Sequence, residues 1–137
     1  MSVGYPDFTL PVDISRATYF ALTLARMIEG GVRILKQTYL YQSSATIYTV
    51  PSGKKAYIVS VLFKVYNSGT AFSDSYVLIS KGAVPVAYLI YEHVQGGATI
   101  TRDLTGLVTR LEEGESISVT AGYASYVDAC FSIIETP

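Results

Sequence analysis

The chain has 137 residues, half of them hydrophobic and only 15% charged, with a formal net charge of −1. That length makes one ordinary domain, large enough to bury well over half of its unfolded surface without a disulfide or metal staple. Lys54-Lys55 is the only basic doublet, which excludes the basic stripe that drives phosphate binding and argues against a nucleic-acid partner.

Residues 1–14 (MSVGYPDFTLPVDI) hold two prolines and no hydrophobic period, so they read as an extended arm, either packed on a neighbouring subunit or loosely attached. Over 16–29 the spacing turns helical: Ala17, Phe20, Ala21, Leu24, Ala25 and Ile28 share one face. Ser15 or Asp13 would cap the start and Gly30-Gly31 the end. Strand is the competing reading there, because Phe20, Leu22 and Leu24 alternate and Thr18, Tyr19 and Thr23 favour strand chemistry. The domain division expected is thus an arm and helix over 1–31 and a β-sandwich over 32–137.

From Val32 onward the pattern is β. VRILKQTYLY (32–41) and TIYTV (46–50) are rich in β-branched and aromatic residues, and a PSGKK turn follows at 51–55. KAYIVSVLFKVY (55–66) alternates, which predicts Tyr57, Val59, Val61, Phe63 and Val65 on one side. After the loop 67–75 come SYVLIS (75–80) and VPVAYLIYEHV (84–94), the latter apolar on both faces and so expected to be covered on both. ATITRDL (98–104) leads through Leu107–Leu111 into an acidic turn at Glu112, Glu113, Gly114 and Glu115. SISVTAG (116–122) predicts Ile117, Val119 and Ala121 inward, and SYVDACFSII (125–134) predicts Val127, Ala129, Phe131 and Ile133 inward. About eight short strands between Gly, Ser, Asn and Pro turns predict an all-β antiparallel sandwich of jelly-roll type.

Little in this chain can do chemistry. A single histidine, His93, forms no usual zinc site alone, and pairing it with the single cysteine, Cys130, would need a nucleophile signature that neither residue carries. The acidic turn lacks calcium-loop spacing, and Gly30-Gly31 and Gly96-Gly97 lack a phosphate-loop context. No catalytic, cofactor or metal residues are predicted. One cysteine also rules out an internal disulfide. The longest apolar run, 84–91, falls short of the roughly 20 residues needed to span a bilayer. The apolar stretch 17–25 lacks the basic start of a signal peptide. Amides are scarce (Asn67, Gln37, Gln42 and Gln95), a depletion met in thermophilic proteins, although the charge enrichment that accompanies it there is absent.

Twelve tyrosines are the one compositional excess, and tyrosine suits interfaces and sugar-stacking platforms as well as strands. A charged share below the usual quarter or so fits surface hidden by subunit contact or by a host particle, with a plain well-packed monomer as the alternative. The expected assembly contacts are Tyr5, Phe8 and Leu10 in the arm and Val86, Tyr88 and Ile90 in the apolar strand. Tyr123, Tyr126 and Asp128 are the expected ligand-facing residues.

Two segments carry a family likeness. TIYTVPSGKKAYIVSVLFKV (46–65), closing in Asn67-Ser68-Gly69, resembles a pattern of viral particle proteins in which a short strand meets a Val-Pro-x-Gly-Lys turn and a long alternating strand. LEEGESISVTAG (111–122) is similar to their late Leu-x-x-Gly-(Asp/Glu)-x-Ile-x-Val pattern. These resemble jelly-roll head-decoration, head-fibre and tail-attachment proteins of bacteriophages. The resemblance implies a non-enzymatic capsid decoration or spike subunit, a homotrimer located in the virion, with a major capsid or other virion protein as partner. A receptor- or glycan-binding adhesin module is the alternative, whereas a cupin enzyme would need clustered histidines.

Overall fold

The structure, a computed structural model, describes residues 30–137. The helix expected over 16–29 and the arm residues Tyr5, Phe8 and Leu10 lie outside the described residues. Eight strands follow in order: β1 (Val32–Tyr41), β2 (Ser44–Thr49), β3 (Lys55–Asn67), β4 (Ser73–Lys81), β5 (Val84–Val94), β6 (Thr99–Leu111), β7 (Glu115–Thr120) and β8 (Ser125–Thr136). They form two antiparallel four-stranded sheets, sheet A in the order β1-β8-β3-β6 and sheet B in the order β2-β7-β4-β5.

The pairing explains the topology. β1 pairs with β8, β2 with β7, β3 with β6 and β4 with β5. Residues 32–136 are therefore one long hairpin folded at Lys81–Val84, then rolled up so that β3 also meets β8 and β4 meets β7. Two four-stranded layers wound in this way make the jelly roll.

Alternation fills the space between the layers. Ile117, Val119 and Ala121 point inward, as do Val127, Ala129, Phe131 and Ile133, and all seven are buried. The pair Val61↔Phe131 and its neighbour Phe63↔Ala129 place two fully buried rings at the centre. Fully burying a side chain of that size stabilises by roughly 1.5–3 kcal/mol.

On β3 the expected phase holds only from Val61 onward. A bulge between Ile58 and Ser60, shared by the ladders to β6 and β8, inserts one residue. Before it Ala56 and Ile58 face the core and Tyr57 faces outward; after it Val61, Phe63 and Val65 do. One extra residue reverses the facing of everything on one side of it.

A second departure is β5. Among the described residues only β4 pairs with it, so there it is an edge strand rather than one covered on both faces. Its first five residues are exposed, and burial begins only at Leu89 and Ile90.

The two ends of the roll differ. At one end four loops are laced together: Gln42 N donates to Ser125 O, Ser68 N to Ala124 O, Gly97 N to Asn67 O and Ala121 N to Ser43 O, at 2.7–3.0 Å. Asn67, fully buried, is the knot. Its Nδ2 donates to Ala71 O and Val94 O, and its Oδ1 accepts from Gly69 N. At the other end the Pro51–Lys54 turn closes with Lys54 N donating to Pro51 O, and Gly53 takes φ +77°, which glycine adopts without steric penalty. There Gly53 N donates to Glu113 Oε1 and Glu112 N to Glu115 Oε1. The acidic turn thus satisfies backbone donors.

Candidate functional site

Strand register sorts the outward-facing side chains of sheet A into rungs. Tyr41, Tyr126 and Tyr66 form one rung across β1, β8 and β3; Tyr39, Asp128 and Lys64 form the next; Gln37, Cys130 and Leu62 form the third. Because side chains two residues apart on a strand share a face, three tyrosines gather around Tyr126. Its ring centroid lies 4.5 Å from that of Tyr41 and 6.3 Å from those of Tyr39 and Tyr66, the last nearly parallel at 17°. Tyr39, Lys64, Tyr66, Tyr126 and Asp128 line a depression of about 460 Å³. Lys64 and Asp128 are opposed in register but make no salt bridge with each other among the described residues.

Sheet B carries a different aromatic cluster at its β5 edge. Tyr76, Tyr88 and Tyr91 pack with centroids 5.1–5.6 Å apart, Tyr76 and Tyr91 stacked and Tyr88 edge-on to both. Val84 and Val86, each more than half exposed, precede Tyr88 on the same strand. The Tyr91 hydroxyl donates to Asp74 Oδ2 at 2.7 Å, and His93 Nδ1 meets Asp74 Oδ1 while its ring stacks on Phe72. These bonds from His93 and Tyr91 hold the Asp74 carboxyl below the usual carboxylate range, and the Asp74 bond pushes the Tyr91 phenol up. Beside the patch, Arg102 of β6 grips Glu92 of β5 through two hydrogen bonds of 2.6 and 3.1 Å, and the carboxylate raises the guanidinium further.

The residues singled out from sequence fall into three groups. Tyr126 and Asp128 come together in the sheet A depression, while Tyr123, 77% exposed on the β7–β8 turn, is not part of its lining. Val86 and Tyr88 stand on the exposed edge. Ile90 does not: it is 6% exposed and packs in the core, because the bulge between Val77 and Leu78 shifts its phase relative to Tyr88. Sequence reasoning missed Tyr39, Lys64 and Tyr66, since only the pairing of β1 and β3 with β8 brings them beside Tyr126. His93 and Cys130 lie on different sheets and form no pair. Among the described residues no group of three or more His, Cys, Asp or Glu could hold a metal ion. No helix among them is long and apolar enough to cross a membrane.

No protein-family model and no curated protein matches the chain. Among solved structures, the coat protein of Tobacco streak virus superposes on it with a TM-score of 0.36 at 10% identity, covering 80% of this chain and 88% of that one. A superposition that loose carries no argument about function; the strand order rests on the pairing described above.

Proposed function

We propose that this chain is a non-enzymatic structural subunit of a virus particle, of the capsid decoration or spike type, which works by symmetric association with copies of itself and by binding the particle surface. The observation that carries the reading is the uncovered first half of β5. Val84, Val86, Tyr88 and Tyr91 leave apolar side chains exposed along the edge strand of sheet B. Soluble monomers rarely expose such patches without a partner. The jelly-roll order and the resemblance of 46–65 and 111–122 to virion proteins agree with it, as an analogy of fold.

The shape of the edge specifies how copies meet. Pro85 removes a backbone donor, and two bulges, between Val77 and Leu78 and between Ile79 and Ser80, interrupt the β4–β5 ladder. Bulges and prolines are devices that keep edges from extending one sheet into another. The contact is therefore made by side chains, with Val86 and Tyr88 packing into a neighbour, and not by strand addition. Three copies related by a closed rotation give each patch a partner without leaving an open chain of contacts.

Light scattering coupled to gel filtration tests this. The wild-type chain runs as a trimer, and Tyr88→Glu runs as a monomer with an unchanged β circular-dichroism spectrum. A wild type that stays monomeric at high concentration defeats the proposal, as does a Tyr88→Glu variant that remains trimeric.

A further inference from the structure

We infer that the depression on the outer face of sheet A is a binding site for neutral saccharides. It lies on the opposite sheet from the β5 edge, so it goes beyond the assembly reading and does not depend on it. Three observations converge.

The first is the wall. Tyr39, Tyr66 and Tyr126 line the depression and are 68%, 41% and 37% exposed as residues. Left uncovered, such rings are an unfavourable surface in water. A tyrosine ring offers an apolar face with a polar tip, and a hexose ring offers the matching surface of C–H groups edged by hydroxyls. The second is the polar pair. Asp128 supplies an acceptor-only carboxylate and Lys64 a donor-only ammonium on the same rung. A vicinal diol is both donor and acceptor, so it satisfies both groups at once. The third is size and charge. About 460 Å³ lies within the roughly 300–1,000 Å³ range of small-ligand pockets, and one positive and one negative group favour an uncharged occupant.

The alternatives fit less well. Single-stranded nucleic acid needs a cationic track beside its stacking rings, and here the single lysine is balanced by an aspartate. A polyproline peptide also docks on aromatic grooves, but it carries no hydroxyl donors and would leave the Asp128 carboxylate without a partner. Nothing in the depression performs bond-breaking chemistry; the site holds a sugar and releases it unchanged.

The test uses the full chain. Saturation-transfer NMR is run with methyl α-glucoside, methyl β-galactoside and methyl α-mannoside, followed by an array of neutral glycans, with a proline-rich decapeptide as a separate arm. The expected result is transfer to the C–H face of at least one saccharide. Tyr126→Ala and Asp128→Asn each weaken that binding by about tenfold, the loss of one ring contact or one charge-assisted bond. Tyr123→Ala leaves it unchanged. Asp128→Asn is nearly isosteric on an exposed position, so it keeps the question open to refutation if Tyr126→Ala fails to fold. No binding to any saccharide overturns the inference, as does binding indifferent to both substitutions, or the peptide alone binding this face.

Discussion

β3 and β5 are both strongly apolar strands of similar length, and they meet opposite fates. β3 runs between β8 and β6 in sheet A, and its inward residues from Ala56 to Val65 are completely buried. β5 has one neighbour among the described residues, and everything from Val84 to Tyr88 is exposed. Hydrophobic content therefore does not say where a strand sits in a sheet. What separates the two is phase. β3 alternates strictly over Val61–Tyr66, with Leu62, Lys64 and Tyr66 outward, whereas β5 is apolar without alternation, contains Pro85 and is bulged twice. A strand written for a buried interior position would not carry a proline, so Pro85 marks β5 as an edge strand whatever its apolar content.

The sharpest way to break this comparison is to delete a side chain from each strand. Phe63→Ala removes a fully buried ring from β3, and loss of its transfer energy plus the cavity left behind lowers stability by about 3–5 kcal/mol. Val86→Ala on β5 shifts the stability of the isolated subunit by no more than about 0.5 kcal/mol. Urea unfolding at low protein concentration, where the subunit is alone, measures both. Equal losses would mean that β5 is core, not surface.

A smaller effect is expected where the loop end meets β4, the strand paired with β5. A Cβ on Gly122 would sit 2.2 Å from Asp74 O and 2.3 Å from Ser73 Oγ. The carbonyl belongs to the backbone of β4 and cannot rotate away. Gly122→Ala therefore displaces the start of β4 and costs about 1–3 kcal/mol, as overpacking does. Hydrogen exchange should speed up in β4 and β5 first, leaving the β3–β8 ladder protected; uniform loosening of both sheets would contradict the division.

How much of this was legible in the sequence depends on which interaction decided each feature. The inward residues of β7 and β8 were readable because alternation is local. The β3 bulge was not, because an inserted residue is visible only against the partner strands, and it sent Tyr57 outward. The exposure of β5 was missed for the same reason: a run apolar on both faces is equally consistent with a central strand and with an edge reserved for another subunit. Two of the five residues lining the sheet A depression, Tyr126 and Asp128, could be named from one strand. Tyr39, Lys64 and Tyr66 join it across strand pairings of long sequence separation, which no local pattern records.

The two lateral sides of the sandwich repeat the contrast at lower energy. On the β5–β6 side the layers are joined by the Arg102–Glu92 pair, whose arginine is half-exposed, and solvent-accessible pairs contribute little. On the other side the Tyr48 hydroxyl of β2 crosses to Glu135 Oε2 of β8 at 2.7 Å, with Tyr48 buried and Lys54 3.8 Å from the same carboxylate. Burial and then the Glu135 hydrogen bond and charge raise the Tyr48 phenol well above the ordinary tyrosine value. Tyr48→Phe removes a hydrogen bond to a charged group and lowers stability at neutral pH by about 1–2 kcal/mol. Because the folded-state value is the raised one, the contribution is fully present below the unfolded value of about 10 and declines as pH climbs toward the folded value. Wild type and Tyr48→Phe should therefore differ most below pH 10, with their urea midpoints converging above it. Midpoints that separate further in alkali would show that Tyr48 ionises more readily in the folded chain, and the closed side of the sandwich would lose its distinguishing bond.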